Sequence, residues 1–333
     1  MANYKPINSL RGIFALMIVC HHLLPEVGIN YGADFGNSIV LFFFVLSGFH
    51  ISITWKDKMV ASDAPKTFLI KRCSRIFPLQ WLMTLLFVCF NINVVTPWAI
   101  PFHLTLTQSI IPFWKINFTI NTPSWFLSSI FFCYLVTPLM LRFAKKQKNL
   151  YLIFQICLIL SYTMIIVFLP ENIGTRWLCY INPFARMIDY SIGITLGLLW
   201  KEEITNEWNQ RTLTYTVFEI ALLALFVFAM CFPPFLRLND YPVLRYPIIV
   251  GLIIVFTMSR GYVSKMLSNR VLAWLGNISM SIYMVHMFVL HFTVSMQIPI
   301  GLIILMTISI VLVLSHILSY YLLPRIAKYT KLV

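Results

Sequence analysis

Ile7-Asn8-Ser9-Leu10-Arg11-Gly12-Ile13-Phe14-Ala15-Leu16-Met17-Ile18-Val19-Cys20-His21-His22 is an apolar run with an arginine near one end and a histidine at the other. Arg11 and His22 are eleven residues apart. On a helix advancing 100° per residue that is three full turns plus about 20°, so the two side chains share a face. Their axial separation is about 16 Å at 1.5 Å per residue, too far for contact and suited to an elongated ligand. Ionisable groups aligned on one face of an apolar helix are costly in a membrane and mark a candidate functional site. Two plainer readings stand beside this one. Arg11 can snorkel to an interface and anchor the helix, and His22 can hydrogen-bond a neighbouring helix. His21 lies about 100° round the helix from His22, so the two do not serve one site.

The rest of the chain makes this a membrane setting. Of 333 residues, 59% are hydrophobic and only 11% charged, against about 25% charged in soluble domains. Mean hydropathy is +0.83. Aromatic residues make up 16%, which suits interfacial belts. The net charge of +14 does not point to nucleic acid, because the Lys and Arg lie between apolar runs as the positive-inside rule requires. The cysteines are scattered without metal or disulfide spacing and read as small buried hydrophobes. No small-residue cleavage site follows Cys20, so the first apolar run is expected to stay in the protein.

The expected fold is all-α: a polytopic bundle of about ten transmembrane helices, filling residues 1–333 as one domain with no soluble appendage. The expected spans are 7–25, 37–55, 76–95, 125–143, 149–169, 183–200, 212–231, 245–260, 272–292 and 298–323. The loops set their direction. Loop 56–75 carries Lys56, Lys58, Lys66, Lys71, Arg72 and Arg75, and loop 142–148 carries Arg142, Lys145, Lys146 and Lys148. Segment 200–211 is mixed in sign, Arg260, Lys265 and Arg270 follow on the same side, and Arg325, Lys328 and Lys331 lie in the tail. The alternate loops are poor in cations: 26–36 has none and 96–124 only Lys115. Both termini are therefore expected in the cytoplasm, in a multi-pass protein of the cell (inner or plasma) membrane. Segment 96–124, long and rich in Pro and aromatics, is expected to lie on the membrane or re-enter it.

Five further stretches carry polar groups. In Phe42-Phe43-Phe44-Val45-Leu46-Ser47-Gly48-Phe49, Ser47 and Gly48 favour close helix packing, with Ser47 alternatively lining a cavity. Lys71, Arg72 and Arg75 precede an apolar span; they are topological charge or a site for the phosphates of a cytoplasmic donor. Trp125, in Thr122-Pro123-Ser124-Trp125, sits at an interface. Arg186 and Asp189, at i and i+3, read as an ion pair near the outer mouth of the sixth span. Ser279, Tyr283 and His286 recur at i, i+4 and i+7, a polar stripe that faces the bundle interior or a water-filled cavity, with Ser281 beside it.

In order and spacing these stretches resemble the membrane-bound acyltransferase-3 family. The resemblance is carried by Leu10-Arg11-Gly12 with His22, Phe43 to Phe49, Phe68 with Arg72, Arg75, Ile76 and Pro78, Pro123-Ser124-Trp125, Arg186 with Asp189, Gly193 and Gly197, and Leu275 to His286. It runs from residue 7 to about 290. It implies an integral membrane O-acyltransferase that moves an acyl group, usually acetyl, from cytoplasmic acyl-CoA to a hydroxyl. The acceptor would be a surface or cell-envelope glycan or a lipid-linked sugar. It also implies that Arg11 and His22 are catalytic. Acetyl-CoA would be a co-substrate; no tightly bound cofactor or metal is expected, and the other partners are membrane lipids. Two departures stand out. Ile130 and Phe131 occupy positions where many members carry acidic residues, and Leu322-Leu323-Pro324 stands where many have Glu before Pro.

On this reading Arg11, Lys71, Arg72 and Arg75 hold phosphates at the mouth while His22 acts deeper in, as general base or as acyl acceptor. Ser47, Ser281 and Tyr283 are candidate oxyanion donors. The rival is a transporter or flippase of a lipid-linked or acylated solute. Its mark would be inverted repeats with broken helices in matching halves, and the sequence shows no such symmetry.

Overall fold

The computed structural model describes residues 4–29, 35–90, 96–168, 174, 177–200, 212–231 and 242–329. The mixed-charge segment at 201–211, Lys331 and the expected span ends at 95 and 169 lie outside them. Among the described residues every regular element is helical. The helices are α1 (Lys5–Glu26), α2 (Phe35–Trp55), α3 (Ala64–Cys89), α4 (Ile100–Thr105), α5 (Trp114–Phe118), α6 (Ser124–Lys146), α7 (Lys148–Phe168) and α8 (Pro183–Leu199). They continue as α9 (Thr212–Cys231), α10 (Tyr246–Met258), α11 (Tyr262–Leu267), α12 (Arg270–Val294), α13 (Ile300–Ile317) and α14 (Leu323–Tyr329). A turn of π-helix, Leu318–Leu322, joins the last two.

Seven of the described helices are long and apolar enough to cross a membrane: α1, α2, α6, α7, α9, α12 and the run Ile300–Ile326. The other three expected spans correspond to α3, α8 and α10. Their helices fall outside that group because α3 carries cations, α8 has 17 residues and α10 has 13. Local signals place several ends. Pro183 follows an Asn182 whose side chain accepts from Phe184 N at 2.9 Å, and Asn269 caps Leu272 N in the same way at 2.9 Å.

α3 corrects the expected loop at 56–75. The helix begins at Ala64, with proline in its first turn, and runs on through Lys71, Arg72 and Arg75. Those cations recur at helical spacing with Phe68, so the segment satisfies its backbone as a helix while turning its charges to one side.

Two glycine-seamed pairs form the centre. α1 packs on α12: a Cβ on Gly12 would meet Gly276 N at 2.6 Å, and one on Gly276 would meet Asn8 O at 2.1 Å. α2 packs on α8: a Cβ on Gly48 would meet Tyr190 O at 2.1 Å, and one on Gly193 would meet Val45 O at 1.9 Å. Small residues let the backbones touch, and van der Waals packing then holds helices that have no hydrophobic drive toward one another in lipid. Both pairs run parallel. Asn8 bonds Ala273 O, Arg11 bonds Gly276 O and His22 meets His286, so position rises together along α1 and α12.

The outward faces of α7, α9 and α13 are apolar and exposed, including Ile153, Ile156, Val217, Ile220, Leu305 and Val313. Such faces suit lipid. They also correct the reading of the cysteines. All seven are free, and only Cys133 is buried, while Cys89, Cys157 and Cys231 are exposed on the apolar exterior.

Segment 96–124 folds as short helical turns between α3 and α6. Several of its buried polar groups are hydrogen-bonded, within the segment and to its neighbours. His103 Nε2–H donates to Ile116 O at 2.7 Å, and His103 Nδ1 is then free to accept from the Ser124 hydroxyl at 3.2 Å. Burial holds this imidazole neutral, its pKa pushed down to about 4. Asn121 Nδ2 donates to Met284 O at 3.0 Å and ties the segment to α12.

Candidate active site

The cations of α3 line a cavity of about 750 Å³. α1 contributes Arg11, α2 contributes Phe43 and Ser47, and α3 contributes Lys71, Arg72, Ser74, Arg75 and Ile76. α6 supplies Phe126, Leu127, Ile130 and Tyr134; α12 supplies Asn277, Ser279, Met280, Ser281 and Tyr283; Ser319, Leu323 and Pro324 close the C-terminal side. Four cations and no Asp or Glu appear among these described lining residues. A concave, low-dielectric wall lined by one sign of charge concentrates anions.

The guanidinium groups are held with donors to spare. Arg11 Nη2 donates to Gly276 O at 2.6 Å, while its buried Nε has no hydrogen-bond partner. Arg72 lies 5.5 Å from the Phe68 ring centroid and 5.6 Å from that of Tyr134, and its buried Nε is also unpartnered. Cation–π contact fixes the group without using its N–H donors, which leaves the planar fork for an oxyanion such as phosphate.

His22 stands apart from this cavity. Its Nδ1 is 3.0 Å from His286 Nε2, and the rings stack with centroids 5.0 Å apart. Neither ring is among the described lining residues. Tyr283 links the two places: it lines the cavity and lies one helical turn from His286, with ring centroids 6.0 Å apart. Phe43, Phe126 and Tyr283, each from a different helix, form a triangle of rings with centroids 6.2, 6.4 and 5.2 Å apart. This aromatic triangle marks the end of the cavity nearest the histidine pair.

The cavity thus unites Arg11, Ser47, Lys71, Arg72, Arg75, Ser279, Ser281 and Tyr283. Trp125, Arg186, Asp189 and His286 lie outside it. Trp125 packs on Tyr180 at 4.7 Å. Arg186 Nη1 pairs with Asp189 Oδ2 at 2.9 Å, both fully buried; Tyr246 donates to Asp189 Oδ1 at 2.6 Å and Arg186 donates to Cys179 O at 2.9 Å. This buried ion pair carries hydrogen bonds that offset part of its desolvation, with Arg186 Nε left unpartnered. Ser47 and its neighbour divide the two readings of their motif, since Ser47 lines the cavity while Gly48 seats α8. Tyr134 and Asn277 also line the cavity; Tyr134 belongs to no polar stripe, and Asn277 lies off the Ser279–Tyr283–His286 stripe. Ile130 and Leu323, the two departures where many members have carboxylates, both face the cavity. They help to make it acid-free.

Apolar helices long enough to cross a membrane surround a cationic cavity with no acid among its described lining residues, and a contacting histidine pair lies beyond it; this is the build of an integral membrane protein. The chain belongs to the acyltransferase 3 family, whose sequence profile, described as an acyltransferase domain, matches residues 4–323. It is 25% identical over 319 residues to acyltransferase MdmB of Streptomyces mycarofaciens, covering 86% of this chain and 79% of that protein. It is also 25% identical over 323 residues to peptidoglycan O-acetyltransferase OatA of Listeria monocytogenes, covering 85% of this chain but only 49% of that protein. No solved structure matches it. Family and helices together make it a multi-pass membrane acyltransferase.

Proposed function

We propose that the protein transfers an acyl group, most simply acetyl, from cytoplasmic acyl-CoA to a hydroxyl of a cell-envelope glycan or lipid-linked sugar. The observation that carries this reading is the cavity lined by Arg11, Lys71, Arg72 and Arg75, with no acid among its described lining residues, closed at one end by the aromatic triangle whose Tyr283 lies against His286, the partner of His22. Coenzyme A has phosphates at one end and a thioester on a long arm. The cations bind the phosphates, and the arm carries the thioester past Phe43, Phe126 and Tyr283 toward the histidine. The name of the Listeria relative, a peptidoglycan O-acetyltransferase, supports a glycan acceptor.

His22 acts as general base. It takes the proton of the acceptor hydroxyl as the oxygen attacks the thioester carbon. The C–S bond then breaks and the proton passes to the departing thiolate, which leaves as free CoA. The hydroxyls of Ser47, Tyr283 and Ser281, the last 2.7 Å from Ser319 Oγ, line the cavity and are the candidates to stabilise the oxyanion.

Detergent-purified protein given labelled acetyl-CoA should release free CoA in the presence of acceptor, and membranes containing it should carry acetylated glycan detectable by mass spectrometry. His22→Ala should abolish both while accumulating normally. Wild-type turnover by that variant would overturn the assignment. Wild-type protein that leaves acetyl-CoA intact but moves a lipid-linked solute across vesicles would favour transport.

A further inference from the structure

His22 meets the backbone carbonyl of Ile18 on its own helix and, across the seam, His286, which relays the polarity of a second helix carbonyl to it. The Nδ1 of His286 lies 3.2 Å from the carbonyl oxygen of Ile282, one turn back on α12. A carbonyl oxygen only accepts, so Nδ1 carries the hydrogen. A neutral imidazole has one N–H, and Nε2 of His286 is therefore an acceptor. That nitrogen is 3.0 Å from Nδ1 of His22. His22 must then donate from Nδ1, which leaves its Nε2 with a free lone pair. His286 is fully buried, so no water competes for either of its nitrogens.

We propose that His286 is a positioning residue that sets the tautomer and ring orientation of His22, so that Nε2 of His22 is the base. The inference rests on the reading of His22 as the general base of acyl transfer. The chain of polarity runs from a fixed helix carbonyl through two imidazoles, and α12 supplies both the carbonyl and the intermediate ring. The parallel seam of α1 and α12 keeps the rings in reach, because Gly12 and Gly276 hold the two backbones in contact. A buried carboxylate in the same place would also hold His22 by its Nδ1–H, but it would stabilise the imidazolium; a neutral imidazole fixes the tautomer without placing a charge in the bundle. The same two bonds in a protein without chemistry would serve only to join α1 to α12, and the test is built to separate these roles.

Three substitutions do so. His286→Leu removes the acceptor and keeps the side chain large. His286→Asn keeps a donor for the Ile282 carbonyl but stops short of His22. His286→Gln reaches as far as Nε2 did and presents a carbonyl oxygen to the His22 N–H. The expected result, measured on detergent-purified protein with acetyl-CoA and a hydroxyl acceptor, is a kcat lower by about 10²- to 10⁴-fold for Leu and Asn, the range of a lost or mis-tautomerised base. The KM for acetyl-CoA should stay within about twofold, because the phosphate cavity is untouched, and Gln should recover at least about tenfold over Leu. Turnover by His286→Leu or His286→Asn near the wild-type value would overturn the proposal. So would equal losses in Leu, Asn and Gln together with a lowered Tm, which would assign the pair to packing. If Leu fails to accumulate, the Asn-to-Gln comparison decides. His22→Ala run alongside separates the two layers: if it is active, the base assignment itself fails; if it is inactive while the His286 variants turn over normally, only the positioning role fails.

Discussion

Arg72 and Arg75 show how far a residue's role depends on where its charge is presented. Both were readable as topological charge or as phosphate ligands, and the helix that carries them lines the cavity with both. Arg72 is braced between two aromatic rings with its Nε unpartnered. If the pair binds the donor phosphates, Arg72→Ala and Arg75→Ala should each raise the KM for acetyl-CoA by about ten- to a hundredfold. That corresponds to about 1.5–3 kcal/mol for a lost charged hydrogen bond. Steady-state kinetics at saturating acceptor checks this, and a KM unchanged in properly inserted variants would return both residues to topology. Arg72→Lys should recover little, because a point charge lacks the planar fork and stacks less well. His22 is the opposite case. Its type, depth and spacing were legible in the chain, but its partner was not, since His286 lies 264 residues away.

Among the helices, the motifs resolve into interfaces. The Ser47-Gly48 element on α2 and the Gly193 and Gly197 of α8 are two sides of one seam, and Leu10-Arg11-Gly12 faces Leu275-Gly276 across another. Each seam therefore fixes polar residues next to it: Ser47 beside Gly48, and Arg11 beside Gly12. A Cβ on Gly193 would press into the backbone of Val45, where nothing flexible can yield. Gly193→Val should cost at least about 1–3 kcal/mol from overpacking and lower the Tm of the detergent-purified protein, with activity lost alongside. Gly301 on α13 has open space around it. Gly301→Ala should leave the Tm unchanged or raise it, by up to about 1 kcal/mol of helix propensity. Equal loss in both variants would mean that the seam is not what holds α2 to α8. Pro78 and Pro138 lie inside α3 and α6 without ending those helices.

Across the whole molecule, helix direction constrains the number of crossings. α1 and α12 run parallel, so an odd number of crossings separates them. Counting only the seven helices that are long and apolar enough would make α12 the sixth and set it antiparallel to α1. Counting α3, α8 and α10 as well makes it the ninth, and also makes α2 and α8 parallel, as their seam requires. The parallel seams fit the expected count of ten crossings, for which the positive-inside rule would put both termini in the cytoplasm. Single cysteines at Lys58, Lys145 and Lys328 in a cysteine-free background should react with an impermeant thiol reagent only from the cytoplasmic side, and one at Phe113 only from the other. Labelling of Lys58 and Lys328 from opposite sides would refute the even count.

The sequence alone determined the solvent, the element type and the register of the first helix. High hydropathy and sparse charge admit few structures other than bundled helices in lipid, because every backbone polar group must be satisfied within its own segment. The Arg11–His22 alignment follows from the pitch of one unbroken helix. Tertiary structure decided the rest. Only packing could show that Lys71, Arg72 and Arg75 ride on a helix and meet Arg11 in one cavity, or that Arg186 and Asp189 pair in a separate buried network. Only packing could set His22 against His286 and not in the cavity wall. The physical reason is range: periodicity is written within a few turns of one helix, whereas a pocket and its proton path are made by side chains from helices hundreds of residues apart.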